Sequence, residues 1–209
     1  MKINEVFYSI QGEGKWSGFP NIFIRTTGCN LRCSYCDTKY AYENGKKMSI
    51  NNILKEIRKY PCKRICITGG EPLLQSQTYD LIDLLLKKDY LICLETNGSL
   101  SIEKIASIKS LMISLDIKCP SSGMQKKMIF ENLSIIGPKD QLKFIIKNKK
   151  DYVYAKSIIK KHNPKTIIFF QPVWGFNPKK LATWIIEDSL NVRLGLQLHK
   201  IIWGNRQRI

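Results

Sequence analysis

Three cysteines, Cys29, Cys33 and Cys36, are separated by three and then two residues in the run Cys29-Asn30-Leu31-Arg32-Cys33-Ser34-Tyr35-Cys36. Thiolates are soft ligands that suit iron-sulfur clusters and zinc, and a short loop lets all three turn toward one centre. Three ligands leave a position open: a four-iron cubane held this way has one iron without a protein ligand, much as a catalytic zinc keeps a vacant site for substrate. Structural zinc is the competing reading, with a distant fourth ligand such as Cys66, Cys93 or a histidine. The chain has seven cysteines, an odd count, so the clustering of three points to metal binding in a reducing compartment rather than to a disulfide framework. A second cluster is not expected, because Cys66 and Cys93 sit in apolar runs and Cys62 and Cys119 stand beside proline, where buried thiols are commoner.

A second feature is Gly69-Gly70-Glu71-Pro72, directly after the apolar run Ile65-Cys66-Ile67-Thr68. Gly70 has no Cβ, so its backbone can approach a ligand closely; a plain tight turn is the alternative. Phosphate-binding signatures are missing. No glycine-rich loop ends in Gly-Lys-Ser/Thr, and Gly12-Glu13-Gly14 lacks the third glycine of a dinucleotide fingerprint, which excludes a nucleotide hydrolase.

The elements that must position these groups alternate along the chain. Strands are expected at Ile22 to Arg25, Arg64 to Thr68, Tyr90 to Glu95, Leu111 to Ile117, Gln141 to Ile146 and Thr166 to Gln171. Helices are expected at Ser49 to Lys59, Gln77 to Lys88, Ile102 to Ser107, Lys150 to Lys161 and Pro178 to Asp188, where apolar residues recur every three to four positions. Such alternation predicts an α/β fold with a parallel sheet, an incomplete TIM-type barrel of about six strands formed by one domain over residues 1–209. The polar motifs follow strands: Thr26-Thr27-Gly28-Cys29, then Gly69-Gly70-Glu71-Pro72, Thr96-Asn97-Gly98 and Lys118-Cys119-Pro120. Ligands gather at the carboxyl ends of parallel strands, so all four should face one mouth.

Composition sets outer limits. A chain that is 44% hydrophobic and 24% charged should form a packed core. No apolar run is long enough to span a bilayer, and the first residues lack the apolar stretch of a signal peptide, so a cytoplasmic protein is expected. The net charge of +17 would attract anions or nucleic acid, but the lysines are scattered over many segments, as on solvated faces, so no direct nucleic-acid contact is expected.

The cysteine loop with Tyr35 before its last cysteine resembles the signature of the radical S-adenosylmethionine (SAM) superfamily, and Gly69-Gly70-Glu71-Pro72 resembles that superfamily's SAM-binding motif. Narrower matches run from end to end: Phe7-Tyr8-Ser9-Ile10-Gln11-Gly12-Glu13-Gly14, Phe23-Ile24-Arg25, Cys36-Asp37-Thr38, Glu95-Thr96-Asn97-Gly98, Asp116-Ile117-Lys118-Cys119-Pro120-Ser121-Ser122-Gly123 and Gln197-Leu198-His199-Lys200. Together they resemble the 7-carboxy-7-deazaguanine synthase family.

That resemblance implies a radical SAM lyase acting on a small pterin, 6-carboxy-5,6,7,8-tetrahydropterin, with a [4Fe-4S] cluster, SAM and Mg2+ as cofactors. The product would feed the deazaguanine nucleosides of tRNA, although the enzyme need not touch tRNA. It implies an external one-electron reductant such as flavodoxin or ferredoxin and a 5'-deoxyadenosyl radical that takes and later returns a substrate hydrogen; separately, the open side of an incomplete barrel must be closed by a loop or a second subunit, and a homodimer is expected. By position, Cys29, Cys33 and Cys36 would bind the cluster and Thr38 the Mg2+. Tyr35, Cys36, Asp37 and Gly70 would lie against SAM, as would Asp116, Ile117 and Lys118 and the strand end Gln171, Pro172, Val173 and Trp174. Ile10, Gln11, Gly12 and Glu13 would form the substrate loop, with Arg25, Thr68 and His199 also on the substrate side. Arg25 would offer a planar fork to the substrate carboxylate.

Two other readings compete. An activase that makes a glycyl radical on a partner protein shares the cysteine spacing but should lack Gln11-Gly12-Glu13-Gly14 and Cys119-Pro120-Ser121-Ser122, both present here. A non-catalytic metal-binding module would use the basic surface on RNA. The segment after His199, from Ile201 to Ile209, departs from the brief ending that the resemblance leads one to expect, so it assigns no role to the terminal carboxylate.

Overall fold

The computed structural model describes residues 1–206, so the terminal carboxylate lies outside the described residues. Strands run over β1 (Lys2–Ile10), β2 (Pro20–Thr26), β3 (Lys46–Lys47), β4 (Arg64–Gly69), β5 (Leu91–Thr96), β6 (Leu111–Ile117), β7 (Gln141–Ile146), β8 (Ile167–Pro172) and β9 (Arg193–Leu194). The helices are α1 (Ile50–Ile57), α2 (Gln77–Leu86), α3 (Glu103–Ala106), α4 (Asn132–Ile135), α5 (Lys149–His162), α6 (Pro178–Glu187) and α7 (Leu198–Trp203).

The strands form one nine-stranded sheet in the order β3-β1-β2-β4-β5-β6-β7-β8-β9. From β2 to β9 every pairing is parallel, whereas β1 runs antiparallel to both β2 and β3. All six expected strands are present. The sheet is a mostly parallel, unclosed barrel segment, extended at one edge by a hairpin that strand-helix alternation does not predict.

Alternation along the strands sends every second side chain under the helices. On β7, Leu142, Phe144 and Ile146 are buried in the core, and Phe144 meets Phe170 of β8 edge-on at 5.6 Å between ring centres. The helices contribute complementary stripes: Ile53, Leu54 and Ile57 from α1, Leu81, Ile82 and Leu85 from α2, and Tyr152, Ala155 and Ile158 from α5. Each leucine or isoleucine among them, once buried, contributes about 1.5–3 kcal/mol. Helix starts are fixed by side-chain caps. Ser49 accepts the Asn52 amide at 3.2 Å, Asn148 accepts the Asp151 amide at 3.0 Å, and Asn177 precedes Pro178 at the start of α6.

Cys66 and Cys93 are adjacent in register on β4 and β5 and buried, and Cys119 is buried as well, while Cys62 is half-buried. Among the described residues no helix is long and apolar enough to cross a membrane.

Candidate active site

The loops leaving the carboxyl ends of β2, β4, β5 and β6 are tied to one another by backbone and buried polar contacts. The Gly70 amide donates to the Thr26 carbonyl at 3.1 Å, and the Glu71 amide to the Gly28 carbonyl at 2.7 Å. A Cβ on Gly70 would lie 1.9 Å from the Gly28 oxygen, so the residue must be glycine for the two loops to meet. Glu71 is fully buried; its carboxylate accepts from the Leu73 amide at 3.1 Å, the Thr96 hydroxyl at 2.9 Å and the Asn97 amide at 2.6 Å. Asn97 in turn donates to Asn30 in the cysteine loop at 3.1 Å. On the other flank, Ser34 donates its amide to the Ser122 carbonyl at 3.1 Å and its hydroxyl to the Ser121 carbonyl at 2.6 Å. The motifs that were expected to share a mouth therefore do so.

They surround a cavity of about 730 Å³. Every residue to which the resemblance gives a cluster, Mg2+, SAM or substrate contact lines it except Ile117, which is fully buried in the core. The correction follows from strand geometry: Asp116 and Lys118 project inward, so the residue between them projects the other way.

Cys29, Cys33 and Cys36 are half-buried on one wall, with no disulfide between them. Among the described residues no three His, Cys, Asp or Glu side chains form a group that could hold one metal ion. Three thiols on one short loop at the cavity wall fit a cubane, in which each thiolate meets a different iron. Burial pushes the Cys33 thiol up, opposed by the ammonium of Lys118. Lys118 pairs with Asp116 at 2.7 Å, and although burial lowers its pKa, Asp116 and Cys33 hold it well above the usual lysine value. Two buried polar atoms on cavity-lining residues have no hydrogen-bond partner among the described residues, the Tyr35 hydroxyl and Gln171 Oε1. Unsatisfied buried polar atoms are uncommon and fit a ligand contact there, so the residues present suit a cluster with SAM beside it. Thr38 donates to Asp37 at 2.9 Å, a neutral hydroxyl next to a carboxylate at the cavity wall, which suits Mg2+ retaining waters and substrate oxygens as its other ligands.

The opposite wall begins at the end of β1. Gln11 is buried and organises its own loop: its Oε1 accepts the Glu13 amide at 3.2 Å, and its Nε2 points to Glu95 Oε1 at 3.4 Å. Thr68 donates to the other oxygen of Glu95 at 2.7 Å. Arg25 donates from Nε to Glu5 at 2.7 Å and packs over the Phe7 and Tyr40 rings. Gly12 lies so close to His199 that a Cβ would come within 1.9 Å of Nδ1, and the Leu198 amide donates to the Gly12 carbonyl at 2.9 Å. The start of α7 is thereby docked on the Gln11-Gly12-Glu13 loop. From it Gln197 donates to Glu13 at 2.9 Å and to Asp37 at 3.1 Å, and Lys200 donates to Asp37 at 2.7 Å. Burial lowers the His199 pKa, which favours neutral imidazole near neutral pH.

Several cavity residues were not singled out from the sequence, Tyr40, Tyr42 and Lys143 among them. Lys143 on β7 is buried, with its ammonium 2.6 Å from Glu13 and 3.4 Å from Asp116. Strand alternation carries the missing signal, since Lys143 shares the inward face of β7 with Gln141 and Ile145. Burial alone would raise the Glu13 pKa, but Lys143 outweighs it and holds the carboxyl at about 2.

A family model described as Radical SAM superfamily matches residues 23–161, the stretch from β2 into α5 that carries the cysteine loop and the glycine turn. The class of protein is therefore that of radical SAM enzymes. The chain is 40% identical to the 7-carboxy-7-deazaguanine synthase of Clostridium acetobutylicum, covering 99% of this chain and 98% of that protein. With the enzyme of the same name from Koribacter versatilis it shares 37% identity over 97% of each chain. Within the radical SAM superfamily, the chain belongs to the 7-carboxy-7-deazaguanine synthase family. The crystal structure of QueE from Escherichia coli has the same fold, with a TM-score of 0.78 at 24% identity over 95% of this chain and 94% of that one.

Proposed function

We propose that this enzyme converts 6-carboxy-5,6,7,8-tetrahydropterin to 7-carboxy-7-deazaguanine, contracting the ring with loss of ammonia. The observation that carries the reading is one cavity bounded on one side by three thiols and on the other by the Gln11-Gly12-Glu13 loop, Arg25 and His199. When bound, the [4Fe-4S] cluster and SAM supply one-electron cleavage of SAM and abstraction of a substrate hydrogen atom, while Mg2+ supplies positive charge at the substrate carboxylate.

The chain's own residues bind, orient and shield. Cys29, Cys33 and Cys36 hold the cluster and leave one iron to SAM. Gly70, Tyr35, Asp37 and the strand ends at Asp116, Lys118 and Gln171 to Trp174 seat the cofactor. Arg25, with Nε committed to Glu5, presents the rest of its guanidinium to the substrate acid group. Glu13 accepts from the donor edge of the pterin, Thr68 and Gly12 bound the ring, and neutral His199 closes the wall. Thr38 supplies a ligand for Mg2+. The division of the cavity sets the reacting carbon against the cofactor and keeps other hydrogens away, the positioning on which such a reaction depends.

The same reading has the enzyme working in the cytoplasm as a homodimer, with an acidic flavodoxin or ferredoxin as electron donor. Anaerobic reconstitution with iron, sulfide, SAM, Mg2+ and reductant, followed by addition of the carboxylated tetrahydropterin, should yield 7-carboxy-7-deazaguanine by mass spectrometry. Absence of any deazapurine from a preparation that cleaves SAM would overturn the substrate assignment.

A further inference from the structure

Lys143 occupies a costly position. Its ammonium is taken out of water and set between Glu13 and Asp116, with Glu95 contributing to the negative field around it. Buried ion pairs of this kind add little net stability, because desolvation offsets their attraction, and apolar replacements are often tolerated. A stability role therefore explains the arrangement poorly. Lys143 instead joins the two halves of the cavity: Glu13 belongs to the loop after β1, and Asp116 to the end of β6 beside Lys118.

We propose, resting on the pterin reading above, that Lys143 is a substrate-positioning residue whose ammonium fixes the Glu13 carboxylate as a charged acceptor for the adjacent N–H donors of the pterin ring. The stereochemistry is simple. Glu13 uses one oxygen for Gln197 and the other for Lys143, and a carboxylate has about four acceptor sites, so acceptor capacity remains on both oxygens. A protonated carboxyl would turn one of them into a donor and set it against the ring. The groups facing Glu13 are Lys143 on β7, Asp37 from the cysteine loop, and Gln197, His199 and Lys200 around α7. Lys143 is the cation in direct contact with it. Asp116 keeps Lys118 as its nearer partner, so removing Lys143 should disturb the cofactor side far less.

The test is equilibrium binding of the carboxylated tetrahydropterin and, separately, of SAM to reconstituted wild-type, Lys143→Met, Lys143→Arg and Glu13→Gln proteins and the Glu13→Gln/Lys143→Met double variant, between about pH 7 and about 8.5, a span above the lowered His199 pKa so that this neighbour stays neutral. Lys143→Met should weaken pterin binding at least tenfold, roughly the worth of one lost charge-assisted contact, with SAM affinity changed by less than about threefold. The loss should deepen as pH falls, whereas wild-type binding stays level, and Lys143→Arg should recover part of it. The double variant should bind no more weakly than the weaker single variant, because one residue acts through the other. Should Lys143→Met melt too early to assay, Glu13→Gln and Lys143→Arg still carry the comparison of pH profiles. Unaltered pterin affinity in Lys143→Met, or losses that add in the double variant, would overturn the inference. Failure of the wild-type protein itself to bind the pterin overturns the functional reading and this inference together.

Discussion

Glu13 and Gly70 show how single side chains set the chemistry of the cavity. Lys143 lowers the Glu13 pKa from 4.5 to about 2, against the effect of burial, so the folded state binds this proton less readily than the unfolded chain. The stabilisation from that ionised group is complete above about pH 4.5 and disappears as pH falls toward 2. Glu13→Gln should accordingly melt below wild type at neutral pH, and the difference should shrink on acidification; a gap that is constant with pH would show that Glu13 is not held ionised. At Gly70 the constraint is space. An added Cβ would meet the Gly28 carbonyl at 1.9 Å, and backbone cannot swing aside as a side chain can. Gly70→Ala should cost about 1–3 kcal/mol of stability. Because the displaced segment leads directly into Cys29, the variant should also retain less iron after reconstitution, measured as iron per chain.

At the level of elements, the carboxyl ends of β4 and β5 are clamped through Glu71, which takes three donors in a fully buried position. Glu71→Ala leaves those donors without their acceptor and should cost about 2–4 kcal/mol in chemical denaturation. A loss under about half a kilocalorie would mean that the loops are held by other contacts. The six parallel strands were legible because each is an apolar run bounded by glycine or polar residues. β1 was not, because Glu5 occupies a buried inward position where the alternating pattern calls for an apolar residue, and partners distant in sequence, Arg25 across the hairpin and the Tyr40 hydroxyl among them, make that tolerable. Lys143 was hidden for the same reason, a charge inside an apolar strand whose partners lie 130 and 27 positions away in sequence. α7, at six residues, is too short to show a helical period; the Gln197-Leu198-His199-Lys200 motif marked the place but not the helix. The cysteine loop and the glycine turn were readable because their ligand chemistry depends on local spacing.

For the whole molecule, the charge of +17 includes a local group of basic side chains beside the cysteine loop. Arg32 within the cysteine loop is exposed, as are Lys126 and Lys127 just beyond Met124, whose sulfur lies 3.4 Å from the Arg32 amide. An acidic protein donor would be steered toward that side. Its rate of cluster reduction should fall several-fold between low and physiological salt, and Arg32→Glu should lower the low-salt rate. Reduction by a small uncharged photoreductant should respond to neither change. Equal salt sensitivity for the two donors would remove the surface charge from the account. The bonds from Gly70 to Thr26 and from Glu71 to Gly28 carry a further consequence at this scale. Two loops stitched through their own main chains drift together when the barrel breathes, so thermal fluctuation should move the segment leading into Cys29 and the Gly70 turn in concert and leave the spacing between them nearly constant.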